Sequence, residues 1–247
     1  MLQDIYQESA IQRYPIGLRY AVDERVFRYA KATHAISNVG TYRLAVCTDQ
    51  ILAINDLLSV APAKVIGDTT VKVAVGTFQG GVVAANELIN GYVEIWPVAG
   101  GNQFMWRRII ANTAVSGGQF TITVDKPFIF AVGVASQVSI HPSIYRAVKS
   151  AGDAGLGAYQ VAVGLPPIPV TNNYYFWLQT WGRCFIAPTG TWPLAAANFV
   201  DVYMHSDGCI NSSKGEVIGT TESPQRIGYA LGAGNYGTGE VMLQLAP

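Results

Sequence analysis

Short runs of β-branched and aromatic residues, each cut off by glycine, proline or asparagine, recur from residue 26 to the end of the chain. Val26-Phe27-Arg28-Tyr29-Ala30, Val71-Lys72-Val73-Ala74-Val75 and Gly91-Tyr92-Val93-Glu94-Ile95-Trp96 are of this kind, and such runs favour pleated strands. Ile109-Ile110-Ala111 and Phe120-Thr121-Ile122-Thr123-Val124 flank Ser116-Gly117-Gly118, where the glycines supply the positive φ of a tight reversal. That stretch predicts a β-hairpin, and Asn90-Gly91 reads like a second hairpin turn. Further runs at Tyr174 to Gln179, Arg183 to Ile186, Phe199 to Tyr203 and Glu240 to Leu245 carry the rhythm onward. The expected fold class is mainly β, with small barrel or sandwich subdomains and little helix, since closing a sheet removes its exposed edges. Helix is expected only at Gln50 to Val60, with apolar residues at 51, 54, 57 and 58, and more weakly at Ser143 to Ser150.

Residues 1–25 mix charges with Tyr6, Tyr14, Pro15 and Tyr20 in neither a helical stripe nor a clean alternation. They predict an extended N-terminal arm, too short to build its own core and ordered by a neighbouring subunit. A β-rich subdomain is expected over 26–150. A Gly/Pro-rich connector over 151–172, with Pro166-Pro167-Ile168-Pro169 at its centre, leads to a small β-barrel-like subdomain over 173–247.

Charged residues make up only 13% of the 247, against roughly 25% in ordinary soluble domains. So few charges cover a minority of the surface a chain of this size exposes, and some of that surface is expected to face protein. The formal net charge of zero removes the long-range pull that nucleic acid or an anionic membrane exerts on a basic protein, so neither is an expected partner. The acidic N-terminus does not read as a secretory signal, and prolines and asparagines interrupt the longest charge-free stretch, so no membrane span is expected. Cys47, Cys184 and Cys209 are too few and scattered for a disulfide framework and are expected to be reduced and mostly buried.

Chemistry-bearing patterns are sparse. Gly232-Ala233-Gly234-Asn235-Tyr236-Gly237 satisfies G-x-G-x-x-G, but only ten residues follow, too few for the helix, strand and acidic residue of a dinucleotide unit. It reads as a glycine-rich hairpin before the last strand. His205 and Cys209 bracket an Asp207-Gly208 turn dipeptide, and no second His/Cys pair at ligand spacing accompanies them. His34 and His141 stand alone and read as surface or turn residues. No nucleophile elbow or paired carboxylates appear, so no enzyme, cofactor or metal is expected.

The densest feature is the aromatic cluster Tyr174, Tyr175, Phe176, Trp177, Trp181, Phe185 and Trp192. On a strand, Tyr175 and Trp177 share one face while Tyr174, Phe176 and Leu178 share the other, so both faces are apolar. Two readings follow: a central strand buried on both sides, or an aromatic face pressed on another subunit or a glycan.

Gln12-Arg13-Tyr14-Pro15-Ile16-Gly17, Val26-Phe27-Arg28-Tyr29-Ala30, Tyr175-Phe176-Trp177-Leu178-Gln179-Thr180-Trp181-Gly182 and Ile227-Gly228-Tyr229-Ala230-Leu231 resemble stretches of tailed-phage virion proteins. The last resembles the ending of capsid decoration, or cement, proteins. The resemblance implies a non-enzymatic virion component, assembled in the host cytoplasm and placed on the capsid exterior, where it binds and stabilises the head. Its implied partners are the major capsid protein lattice and copies of itself in a homotrimer. The interface residues expected on this basis are Arg13, Tyr14, Pro15, Arg19, Tyr175, Trp177, Trp181 and Trp192. The competing expectation is a tail- or fibre-associated adhesion module that stacks exposed Trp and Tyr on sugar rings.

Overall fold

The computed structural model describes residues 3–37, 42–47, 62–76, 82–97, 103–134, 136–151, 161–188, 200–211, 225–231 and 240–247, together with the backbone of 54–58. The chain is mainly β, with no α-helix among the described residues, and its curled sheets are consistent with a sandwich or barrel-like fold. It divides into two compact units, one built from residues 1–48 and 144–247 and the other from 49–143.

The first unit begins with β1 (Arg19–Val22), β2 (Arg25–Lys31) and β3 (Ala45–Cys47). The chain then leaves to build the second unit, whose strands are β4 (Ile54–Leu58), β5 (Thr70–Ala74), β6 (Tyr92–Trp96), β7 (Met105–Asn112), β8 (Gln119–Val124) and β9 (Gln137–His141). It returns with β10 (Val148–Ser150), β11 (Val161–Gly164), β12 (Tyr175–Cys184) and β13 (Asp201–Met204). The last strands are β14 (Ile210–Asn211), β15 (Arg226–Ala230) and β16 (Val241–Gln244).

In the first unit the described strands form a seven-stranded sheet, ordered β1-β2-β12-β16-β15-β13-β14, and a three-stranded one, β10-β3-β11. β12 is central, paired antiparallel with both β2 and β16. Its two faces feed different cores: Phe176 and Leu178 pack with Ala30, Val148 and Val163, whereas Trp177 packs with Phe27, Tyr29 and Ile5. β11 meets β12 at Gly164, where an added Cβ would lie 2.5 Å from Leu178 Cγ and 2.6 Å from the Gln179 carbonyl oxygen. Only glycine permits that approach.

The second unit is one antiparallel sheet, ordered β4-β9-β6-β7-β8-β5, whose edge strands β4 and β5 approach each other as the sheet curls. Alternation decides its inside. Val71 and Val73, Val93 and Ile95, Phe120, Ile122 and Val124 point inward with Met105, Ile109 and Phe128 to make an apolar core.

Several expectations hold. The runs at 26, 71, 91, 174, 199 and 240 all contain strands, and β7 turns into β8 through Gly117 (φ 58°) and Gly118 (φ 72°) as the hairpin required. The G-x-G-x-x-G segment lies outside the described residues, but β15 and β16 on either side pair antiparallel, as a hairpin demands.

Other expectations are corrected. Within Gln50 to Val60 the described part is strand β4, paired with β9 through Ile54↔Ile140 and Leu57↔Val138; the remainder lies outside the described residues. Ser143 to Ser150 is a turn leading to β10, which pairs with β3. A short helical spacing of apolar residues carries little stability by itself, and pairing with a distant strand overrides it. Asn90-Gly91 is a turn but not a hairpin: the preceding residues fold over the buried Asn112, whose Oδ1 accepts from Leu88 N at 2.9 Å. The runs expected at 174 and 183 are one strand, β12, with a register shift between Gln179 and Trp181.

The unit boundaries also differ from the expected 26–150, 151–172 and 173–247. Gly/Pro content reports local stiffness, whereas the units are set by which strands pair, and β2 pairs with β12 from the far end of the chain. Within the expected connector, residues 152–160 lie outside the described residues and 161–164 form β11.

Residues 3–18 carry no regular strand or helix, as an extended segment does, and they dock on their own chain. Gln3 and Ile5 are buried, Ser9 bridges Tyr175, and β1 completes a hairpin with β2.

Candidate binding face

Two aromatic assemblies concentrate the chain's stacking chemistry. The first lies under the N-terminal segment. Tyr29 (0% exposed) and Trp177 (1%) are held at 5.1 Å between ring centroids, with Tyr14 set 5.3 Å from Tyr29 and 5.2 Å from Trp177. Every buried polar tip is satisfied by the segment above it: Trp177 Nε1 donates to the Gln3 carbonyl at 3.1 Å, and Tyr29 Oη donates to Gln3 Oε1 at 2.7 Å while accepting from Arg13 N at 3.1 Å. Burial pushes the Tyr29 phenol above its ordinary value, opposed by the Arg13 amide. This is core.

Most residues expected at an interface cluster around that core. Tyr175 stacks on Tyr29 at 6.0 Å, and Tyr14 closes the cluster. Trp177 is unavailable to any partner, because its own chain covers it. Arg13 and Pro15 are exposed on and just after the covering segment, Arg19 is exposed at the start of β1, and Trp181 is half-buried further along β12, opposite Gln244. Trp192 lies outside the described residues.

The second assembly is on the outer face of the second unit, and strand alternation builds it. With Val93 and Ile95 inward, Tyr92, Glu94 and Trp96 point outward; with Met105 and Ile109 inward, Trp106 and Arg108 do the same. Register sets two rows across the sheet: His141, Tyr92 and Arg108 in one, Ser139, Glu94 and Trp106 in the next. Diagonally across β6, the Trp106 indole stacks on the His141 imidazole, centroids 4.7 Å apart and 29° from parallel. Glu94 Oε2 lies 3.5 Å from His141 Nε2, beyond a formed hydrogen bond. Tyr92 meets Trp106 edge-on at 6.4 Å, and Trp96 stacks on Phe104 at 5.0 Å. Tyr92 is 48% exposed, Phe104 47% and Trp106 44%.

An open groove of about 360 Å³ runs beside this face, lined by Tyr92, Trp106, Arg107, Arg108, Asp125 and Lys126. Part of its lining is frame. Arg107 donates through Nε and Nη2 to the Pro127 carbonyl and through Nη1 to that of Trp106, and Asp125 Oδ1 accepts from Arg108 N at 3.0 Å. Part is free to bind: the Arg108 guanidinium and Lys126 ammonium are exposed and have no ion pair among the described residues.

Sequence reading missed this site because it weighed aromatic density rather than which face each aromatic takes. The signal was present in Tyr92-Val93-Glu94-Ile95-Trp96, a clean alternation with both rings on the polar side. His141 reads as isolated along the chain and becomes part of the face only through β9–β6 pairing.

His205 sits at the base of a turn, as expected. His205 N donates to the Cys209 carbonyl at 2.8 Å, Gly208 takes φ 84°, and Asp207 Oδ1 lies 2.7 Å from His205 Nδ1 and accepts from Cys209 N at 3.0 Å. Partial burial would raise the Asp207 carboxyl, but hydrogen bonds from Cys209 and His205 outweigh it and leave the group below its ordinary value. No metal-holding cluster occurs among the described residues. None of the three cysteines is in a disulfide, and burial pushes the Cys184 thiol up to about 12.

No family model, curated protein or solved structure matches this chain.

Proposed function

We propose that the protein is a non-enzymatic structural component of a virion that decorates the capsid exterior, binding the major capsid protein lattice as a homotrimer assembled in the host cytoplasm. The observation that carries this reading is a chain with 13% charged residues that leaves Tyr6, Ile11 and Leu18 exposed on one docked segment, alongside Arg13, Pro15 and Arg19. Large apolar side chains on a charge-poor surface are the composition of a protein-facing patch. Tyr175 flanks that segment, Trp177 supports it from beneath, and Trp181 lies further along β12.

A second reading has its own observation. The outward Tyr92, Trp106 and Phe104 suit a tail- or fibre-associated adhesion module that stacks rings on sugars. Fractionation of virions separates the two. A decoration protein stays with DNA-filled heads after tail removal, and an adhesin leaves with the tails. Recovery in neither fraction overturns both.

A further inference from the structure

We infer that the groove beside Tyr92 and Trp106 is a saccharide subsite selective for sugars bearing a carboxylate or sulfate group. The inference deepens the adhesion reading, on which it rests, by naming the ligand class. A pyranose presents an apolar C–H face and a polar rim, so its site needs a rigid aromatic surface beside convergent polar groups. Trp106 supplies the surface. One face of its indole rests on the His141 imidazole at 4.7 Å and Tyr92 meets it edge-on, so neighbouring rings on the sheet support its orientation without a ligand and little side-chain freedom is lost on binding. Tyr92, edge-on at 6.4 Å, walls the same groove.

The selectivity comes from charge. Arg107, Arg108 and Lys126 against the single Asp125 give the lining a net charge of +2 (three minus one), in a chain whose formal net charge is zero. Arg107 spends three of its five N–H donors on the Pro127 and Trp106 carbonyls, so it chiefly contributes field and rigidity. Arg108 and Lys126 are the groups able to meet an anion, and a guanidinium matches the two oxygens of a carboxylate or sulfate. Asp125 Oδ1 accepts from Arg108 N, which leaves its other oxygen to accept from a sugar hydroxyl. At about 360 Å³ the groove is near the lower limit of small-molecule sites, a size for one or two sugar rings. Single-stranded nucleic acid fits less well, because successive bases need successive stacking rings along a cationic track, and here one indole has one face already taken.

The full chain is titrated by calorimetry with oligogalacturonate, heparin-derived hexasaccharide, cellohexaose and a dT oligonucleotide. Expected are saturable binding of one or both acidic sugars and at least about tenfold weaker binding of cellohexaose, the effect of one lost charged contact. W106A is expected to abolish sugar binding, and R108Q to weaken the acidic sugars about tenfold while leaving cellohexaose unchanged. Both side chains point away from the core, so an unchanged circular dichroism spectrum certifies each variant, and R108Q stands in should W106A misfold. Equal affinity for cellohexaose overturns the acidic selectivity. Binding of dT alone, or sugar binding indifferent to both variants, overturns the site. Should the protein leave with the tails yet bind none of these sugars, the subsite fails while the adhesion reading stands; should it stay with the heads yet bind acidic sugar through Trp106, the reading fails and the subsite stands.

Discussion

The two aromatic assemblies are made from the same residue types on the same kind of surface, and they end in opposite states. Around Trp177 the rings rise from the β2–β12 pair and are roofed by residues 3–14, whose Gln3 satisfies both Trp177 Nε1 and Tyr29 Oη. Around Trp106 the rings rise from β6, β7 and β9, and among the described residues nothing of comparable kind is hydrogen-bonded over them: Tyr92, Phe104 and Trp106 each remain more than two-fifths exposed. An aromatic strand face thus becomes core or open surface according to whether the chain returns to cover it, and the cover is recognisable by the polar tips it satisfies.

The largest expected effect comes from removing the roof. Deleting residues 1–12 takes away Ile5 and Gln3 and leaves Trp177 Nε1 and Tyr29 Oη to rearrange toward water. The lost burial of one aliphatic side chain and two buried hydrogen bonds together predict a loss of about 3–6 kcal/mol. Urea unfolding measures it, with dye binding reporting the uncovered rings. A truncated protein of unchanged stability would show that the segment merely lies on the surface.

Next comes the pair that sets the two assemblies against each other directly. W177A should cost about 3–5 kcal/mol, as a large-to-small change in a core does, while W106A should change stability by no more than about 1 kcal/mol. Equal costs would break the distinction. Reversed costs would mean that the Trp106 face is a folding core.

Q3A tests the cover at single-residue scale. It removes the acceptor for Tyr29 Oη and the amide that donates to the Gln7 and Tyr175 carbonyls, but leaves the Gln3 main-chain carbonyl that receives Trp177 Nε1. Denaturant unfolding should show a loss of about 1–3 kcal/mol, the range for stranding a buried donor. A loss below the error of the method would place water beneath the segment.

What was legible in the sequence follows from range. The Ser116-Gly117-Gly118 hairpin and the His205–Cys209 turn depend on residues a few positions apart, and both are found where their turn chemistry puts them. The double-faced burial of β12 was legible as well, because Phe176 and Trp177 are adjacent and a strand must send them to opposite sides. Strand β4 was not. Its partner β9 follows after four intervening strands, and the apolar spacing from 51 to 58 fits a helix unless that partner is known. The same holds for the candidate site: Trp106 and His141 become neighbours only through β6, and a roof over Trp177 drawn from the first residues leaves no local trace near residue 177.

The smallest expected effect is the dependence of the covered cluster on alkali. Tyr29 is neutral when folded and its phenol is raised above the ordinary 10.0, chiefly by burial, so the unfolded chain releases its proton at a lower pH than the folded one. Stability from this group is fully present below pH 10 and is lost as pH rises from the unfolded value through the folded one. Tyr145, in a different core cluster, is raised by burial too, so the wild type alone would report a mixture. Comparison with Y29F isolates the effect. At pH 7 the variant should be about 1 kcal/mol less stable, having lost the hydrogen bond to Gln3 Oε1. Above pH 10 the wild type should descend more steeply than Y29F, so that the gap between them narrows. A gap that stays constant to the highest pH at which unfolding is still reversible would mean that Tyr29 ionises as freely in the folded protein as in the unfolded one, and that the segment over it admits water as readily as the open face around Trp106.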